Sequence, residues 1–325
     1  MIAQRVVWLR TVPTPLTAVY LGTVCTLLVV AAISLVAMAP AAVPRAATEL
    51  ARAQSRLSHP VAARTAIVGG SLATGPAFAS LAFIRDVRGE GVGACTGTVV
   101  APNAVLTAGH CAENPLTGVV NPASGYSVLT HSTNLDSPEV EVSAVTRVIV
   151  DPAFDFVRST AYDAALLVLS IPTSAPAIAL LTRASSVKAG ARGVVAGWGL
   201  TAYSNVAGPE TRLRRATMIL QGSTWCNHHT EEFAAKSEIC TIHPPGHKDG
   251  TCKGDSGAPL LLGRAEVGIG SRGSPTCSTA QPGVFTSIPA VSAWLRGAIT
   301  EATVSSYRQL RGALIRPGPH ATLSQ

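Results

Sequence analysis

Three short segments of this 325-residue chain carry residue types suited to nucleophilic chemistry: "LTAGHC" with His110, "YDAALLVL" with Asp163 and "GDSGAP" with Ser256. They follow one another at intervals of about 50 and about 90 residues. A serine hydroxyl is a poor nucleophile at neutral pH and needs an adjacent base; an imidazole, with an unperturbed pKa near 6.5, can take its proton and return it. Taken singly, each segment also has an ordinary reading, a histidine in an apolar run or a serine in a turn. A further cluster, "CNHH" at 226–229 with His243 and His247 nearby, has metal-binding residue types. Four ligands at zinc spacing are missing, and surface histidines account for it, so no metal is expected.

Residues so far apart need a scaffold that gathers them. From Ile67 to about Leu295 the chain consists of short β-type runs broken by Gly, Pro, Ser and Asn: "SLAFIRDV", "GTVVA", "VEVSAVTRVIV", "AALLVLS", "RGVVAGWG", "RLRRATMIL", "APLLL", "EVGIG" and "GVFTSI". Many short strands with regular turns predict an all-β barrel or sandwich. "SIPAVSAWLRGAI" follows with helical spacing of its apolar residues, and no repeat of fixed period is present.

The ends of the chain have different compositions. Leu16 to Ala39 runs 24 residues without a charge, with Arg5 and Arg10 before it and small residues at Ala39 and Ala41 after it. This is an export signal, and a helix of that length, about 36 Å, could also span a bilayer core of about 30 Å. Residues 1–41 are therefore either a cleaved signal peptide or a retained signal anchor, with everything beyond outside the membrane. Residues 42–66, rich in Ala and Arg, read as a propeptide or linker, and 299–325 as a C-terminal tail. Within that tail "SSYRQLRGALIRP" fits a basic amphipathic membrane contact or a solvated helix end.

The net charge of +7 does not imply a polyanionic partner. Residues 1–66 hold six Arg against Glu49 and residues 298–325 three Arg against Glu301, while residues 67–297 hold 16 basic and 16 acidic side chains. The central region is neutral, and no nucleic-acid partner is expected. Of seven cysteines, Cys25 lies in the apolar segment; the remaining six suit an oxidising compartment, with 15 pairings open.

Together, the three segments, their order, "IVGG" at 67–70, "GWG" at 197–199 and "PGVFT" at 282–286 resemble the chymotrypsin/trypsin-like family of serine endopeptidases over about 230 residues, Ile67 to about Ala298. The resemblance implies two packed six-stranded antiparallel β-barrels with a C-terminal helix, and the apolar run 16–39 would add an N-terminal signal or anchor helix. It implies that Ser256 attacks peptide bonds with His110 as base, that Asp163 fixes the imidazole tautomer, and that the amides of Gly254 and Ser256 form an oxyanion hole. It also implies disulfides Cys95–Cys111, Cys226–Cys240 and Cys252–Cys277, protein or peptide substrates, a monomer, and no cofactor. Membrane contact would come only through residues 16–39, if the leader is retained.

In the family a new α-amino group at the "IVGG" isoleucine folds inward to pair with the Asp before the nucleophile, here Ile67 with Asp255. The family commonly has Arg or Lys directly before this Ile, whereas this chain reads "ARTAIVGG". Either an activating protease accepts Ala66, or a cut after Arg64 is followed by trimming. "GDSGAP" has Ala258 where the family usually has Gly, a methyl that we expect to be tolerated.

The primary specificity pocket would be framed by Gly250, Ser271, Gly273 and Gly283. A glycine at its base carries no charge and favours apolar side chains. Asp249 is adjacent, however, and a loop shifted by one residue would bring its carboxylate into the pocket to select Arg or Lys. Arg272, where the family usually has Trp, and Lys253 would put positive charge on the rim and favour acidic residues upstream of the cut. Two other readings stay open: a catalytically silent homologue that binds a protein partner, and an esterase using the same three residues.

Overall fold

A computed structural model describes residues 67–86, 93–203 and 210–314, with side chains as far as residue 304. The apolar stretch 16–39, the segment 42–66 and the end of the tail lie outside the described residues. Among the described residues no helix is long and apolar enough to cross a membrane.

After the two-residue strand β1 (Ser71–Leu72), six strands form one closed antiparallel barrel. They are β2 (Leu81–Asp86), β3 (Gly93–Ala101), β4 (Ala104–Thr107), β5 (Tyr126–Thr130), β6 (Glu141–Val150) and β7 (Ala165–Leu169). Their order around the barrel is β2-β3-β4-β7-β6-β5, closed by β5 on β2. A short β8 (Ala179–Leu180) leads to the second set: β9 (Arg192–Gly197), β10 (Arg214–Leu220), β11 (Glu238–Ile242), β12 (Pro259–Leu262), β13 (Ala265–Arg272) and β14 (Gly283–Ser287). This set also closes on itself through β10–β9, in the order β10-β11-β14-β13-β12-β9, while β1 and β8 add to β10 and β13. Helix α1 (Ser223–His229) precedes β11, and α2 (Ile288–Leu314) ends the described chain.

The reason "ALLVL" has no polar residue is visible in β7. Leu167 and Leu169 point into the first barrel with Ile84, Val99, Val105 and Val128. Leu166 and Val168 point outward, against Ile288, Val291, Leu295 and Ala298 of α2. Both faces are covered, so alternation disappears. The helix stripe continues to Ala302, which is fully buried and whose carbonyl accepts from Asn103 Nδ2 at 2.9 Å. The boundary expected at Ala298 thus falls inside a helix, because its buried face extends another turn.

A third apolar cluster joins the barrels. Leu81, Phe83 and Leu129 of the first meet Ala196, Trp198, Leu213 and Leu261 of the second. Trp198 is wholly buried and meets Phe83 edge-on, ring centroids 6.1 Å apart. Three disulfides join Cys95 to Cys111, Cys226 to Cys240 and Cys252 to Cys277. Each closes a loop short enough to contribute about 3 kcal/mol in the chain-entropy account.

Removing the indole at the seam leaves a large void that neither barrel can collapse into. Trp198→Ala should cost about 3–5 kcal/mol, read as a lowered midpoint in equilibrium urea unfolding of the disulfide-intact protein. A shift below 1 kcal/mol would mean that the seam is not tightly packed.

Candidate active site

His110 sits in a single 3-10 turn, Gly109–Cys111, directly after β4 and tied by Cys111 to β3. Gly109 is required there, since a Cβ at this position would lie 2.5 Å from Phe154 Cδ1. Asp163 immediately precedes Ala164 and β7 and is 1% exposed. One of its oxygens accepts from the His110 amide at 2.8 Å; the other is 2.7 Å from His110 Nδ1 and accepts from Ser271 Oγ at 2.6 Å. Thr286 Oγ1 donates to the Asp163 carbonyl at 2.9 Å. First-barrel and second-barrel groups therefore converge on one aspartate.

Burial alone would lower the His110 pKa, but the Asp163 charge and hydrogen bond outweigh it and raise the value above the ordinary 6.5. For Asp163 burial acts upward, and the His110 charge with the bonds from His110 and Ser271 overcomes it, so the carboxylate is held below its usual range. The stabilisation from this pair is complete below the unfolded histidine value and fades as pH rises through the raised folded one. It fades again as pH falls through the lowered Asp163 value.

Ser256 lies in the turn between Cys252 and β12 and lines the same cleft as His110, a space of about 520 Å³. Gly257 after it has φ 80, and a Cβ there would lie 2.2 Å from Thr107 Oγ1. Gly254 before it has φ 96 and would place a Cβ 2.9 Å from Gly199 Cα. The Lys253 carbonyl is held by Leu200 N at 2.7 Å. Among the described residues the amides of Gly254 and Ser256 donate to no other group. Ala258 is fully buried in the core of the second barrel, where its methyl is accommodated.

Asp255 is 2% exposed and accepts from Gly199 N and Cys252 N, each at 2.9 Å. Burial pushes its pKa up to about 7, against the lowering effect of these two bonds. Ile67 is fully buried in the second-barrel core with Val195, Leu260 and Phe285, at φ 52. Residue 66 still precedes it, and the structure does not join Ile67 to Asp255 by an ion pair.

The pocket beside Ser256 differs in detail from the sequence expectation. Thr251, Ser271 and Gly273 line the cleft and Gly283 stands against Thr251 beside it; Asp249 and Gly250 do not line it. Thr251 Oγ1 lies 3.5 Å from where a Cβ would stand on either Gly273 or Gly283, so it faces the gap between them. A Cβ on Gly250 would meet Thr279 Cγ2 at 3.1 Å. The Gly250 amide donates to the Val68 carbonyl at 3.0 Å. With the loop pinned there, the Asp249 carboxylate turns to His247 Nδ1 at 3.4 Å and to the Gly69 backbone, away from the cleft.

Both expected rim residues are in place, and the structure adds their partners. Arg272 lines the cleft, but its guanidinium binds both carboxylate oxygens of Glu238, whose side chain is completely buried, and the carbonyls of Glu231 and Glu232. Its charge is already compensated and offers little to an acidic substrate residue. Lys253 keeps its place on the rim, its Nζ 4.8 Å from the centre of the Tyr203 ring. Sequence reasoning missed Thr251, Tyr203, Glu238 and Phe156, which lines the cleft with its ring 6.2 Å from that of His110. The aromatic residues in "AFDFV" at 153–157 were the available signal for Phe156. The "CNHH" cluster is divided: Cys226 is in a disulfide and His229 stacks on Trp225, ring centroids 3.9 Å apart.

Comparison with known proteins finds similar sequences. A family model described as Trypsin matches residues 67–295. Among curated proteins, "Trypsin" from Saccharopolyspora erythraea is 30% identical over 208 residues, covering 63% of this chain and 86% of that protein. "Serine protease SP24D" from Anopheles gambiae is 31% identical over 232 residues, 71% of this chain and 80% of that one. "Trypsin" from Simulium vittatum is 32% identical over 200 residues, 59% and 75% respectively.

Replacing Asp163 by Asn removes the charge that raises the histidine pKa and leaves the burial that lowers it. NMR titration of the His110 ring should show its pKa falling in Asp163→Asn; an unchanged titration would assign the raised value to another group.

Proposed function

The chain belongs to the trypsin family of serine proteases, and from that premise we propose that it is an exported serine endopeptidase, made as a precursor and activated by cleavage before Ile67. The observation that carries the proposal is the 2.7 Å contact of His110 Nδ1 with a buried Asp163, in a cleft shared with Ser256. With Nδ1 engaged by the aspartate, Nε2 is the nitrogen left to take the Ser256 proton. Attack by Oγ on a peptide carbonyl gives a tetrahedral oxyanion, and the Gly254 and Ser256 amides are the donors available to it. His110 then passes its proton to the leaving amine, and water hydrolyses the acyl-enzyme by the same steps in reverse.

Activation follows from Asp255. In the uncut chain this buried carboxyl has a pKa of about 7 and two amide donors. A new ammonium at Ile67 would supply the missing cation, drawing the Asp255 pKa down and the amine pKa up from about 8. Breaking such a buried pair from one side costs about 3–5 kcal/mol, enough to disturb a loop that carries both oxyanion donors. Activity should therefore rise with pH as His110 loses its proton, with a midpoint above 6.5, and fall again as the Ile67 amine loses its own. N-terminal sequencing of the active form should read Ile67; full activity with Thr65 first would exclude this switch.

For the residue before the cut we propose an apolar side chain. Thr251 between two glycines gives a neutral pocket, and Asp249 is engaged elsewhere. Export is supported by the apolar segment 16–39 and by three disulfides in the exported part. The test is hydrolysis of matched peptides with Leu, Phe or Arg before the cut, by protein beginning at Ile67. Leu and Phe should be preferred, Asp249→Asn should leave the preference unchanged, and Ser256→Ala should lower turnover by several orders of magnitude. Preference for Arg that Asp249→Asn abolishes would reverse the pocket reading. Cleavage of esters but of no peptide would indicate an esterase, and no cleavage of either a binding protein.

A further inference from the structure

We propose that Thr96 is a positioning residue for the oxyanion loop, acting through a hydrogen bond from its hydroxyl to the Gly254 carbonyl. The inference rests on the protease reading and names the group that aims the donors of that site. Thr96 belongs to β3 of the first barrel, 158 residues from Gly254 in sequence, and is fully buried. Its Oγ1 donates to Gly254 O at 3.0 Å, and its amide donates to Ser256 O at 2.8 Å. Its own carbonyl accepts from Thr107 Oγ1 at 2.8 Å, which holds the threonine in place.

The two donors of the oxyanion site belong to the peptides 253–254 and 255–256. A peptide moves as a rigid plane, so each N–H is aimed by the ties on the carbonyls around it. The Lys253 carbonyl is tied by Leu200, the Asp255 carbonyl by Ala258 N at 2.9 Å within the loop, and the Ser256 carbonyl by the Thr96 backbone. Between the two donor peptides lies the peptide 254–255. Its N–H donates to Cys252 O at 3.1 Å within the loop, and its carbonyl accepts from the Thr96 hydroxyl. Among the described residues no other group from outside the loop hydrogen-bonds to this peptide. Gly254, at φ 96 and without a side chain, offers little local resistance to its rotation. One threonine thus grips the loop on both sides of Asp255, and its side chain holds the peptide that joins the two donor peptides.

Thr96→Val keeps the shape and removes the donor, together with the acceptor that Trp198 N meets at 3.4 Å; Thr96→Ser keeps both. In protein beginning at Ile67, Thr96→Val should lower kcat about tenfold with KM within about twofold. It should weaken a peptide boronic acid, which forms a tetrahedral adduct on the serine, by a similar factor. Thr96→Ser should stay near wild type in both. Unchanged kcat in Thr96→Val, or lowered kcat with undiminished boronate affinity, would overturn the proposal. If Thr96→Val does not fold, Thr96→Ala is judged by the same two readouts. Wild-type protein no more active than Ser256→Ala would overturn the protease reading itself, a result visible without any Thr96 variant.

Discussion

The structure depends on keeping one carboxylate, Asp163, charged while it is almost completely out of water. An isolated buried carboxylate would cost several kcal/mol and would protonate instead. Here its oxygens are met by the His110 amide and ring and by the Ser271 hydroxyl, so donors arrive from both barrels. The seam between barrels must therefore be closed for the charge to survive, and the charge in turn orients the imidazole that faces the cleft. Stability and catalytic geometry are coupled at this point: whatever opens the seam would release both the aspartate and the histidine.

Apolar packing supplies the closure. Trp198, Phe83 and Leu81 fill the seam from opposite sides, while α2 covers the outer face of β4 and β7. Polar contacts then set the register across it. Thr96 of the first barrel grips the Ser256 loop, and Thr98, two residues on, donates to the buried Glu266 of the second barrel at 2.6 Å. Alternation along β3 places both hydroxyls on the face turned toward the other barrel. Each barrel is thus folded by its own aliphatic interior, and the site is assembled by short-range polar ties between them.

Much of this was legible in the sequence. The three reactive segments stand out because each couples a reactive residue to glycines or small residues that only a tight turn requires, and Gly109, Gly254 and Gly257 occupy positions where a side chain would collide. Most strands were visible as apolar runs. Ala104–Thr107, Tyr126–Thr130 and Glu238–Ile242 were not, being too short or too mixed to show a period. The pocket was harder because it depends on one residue of loop register. Whether Gly250, Asp249 or Thr251 faces the cleft is decided by the bond from Gly250 to Val68, far away in the chain. Arg272 misled for a similar reason, since its partner Glu238 lies 34 residues earlier on another strand.

A serine endopeptidase of this geometry must pass through a covalent stage in which Ser256 is acylated. The direct measurement is intact-mass and peptide-mapping mass spectrometry of protein beginning at Ile67, quenched in acid during reaction with a slowly deacylating peptide ester. A mass increase equal to the acyl group is expected, mapped to Ser256 and absent from His110→Ala. Turnover of that substrate with no adduct on Ser256, under conditions where the acyl-enzyme should accumulate, would contradict it.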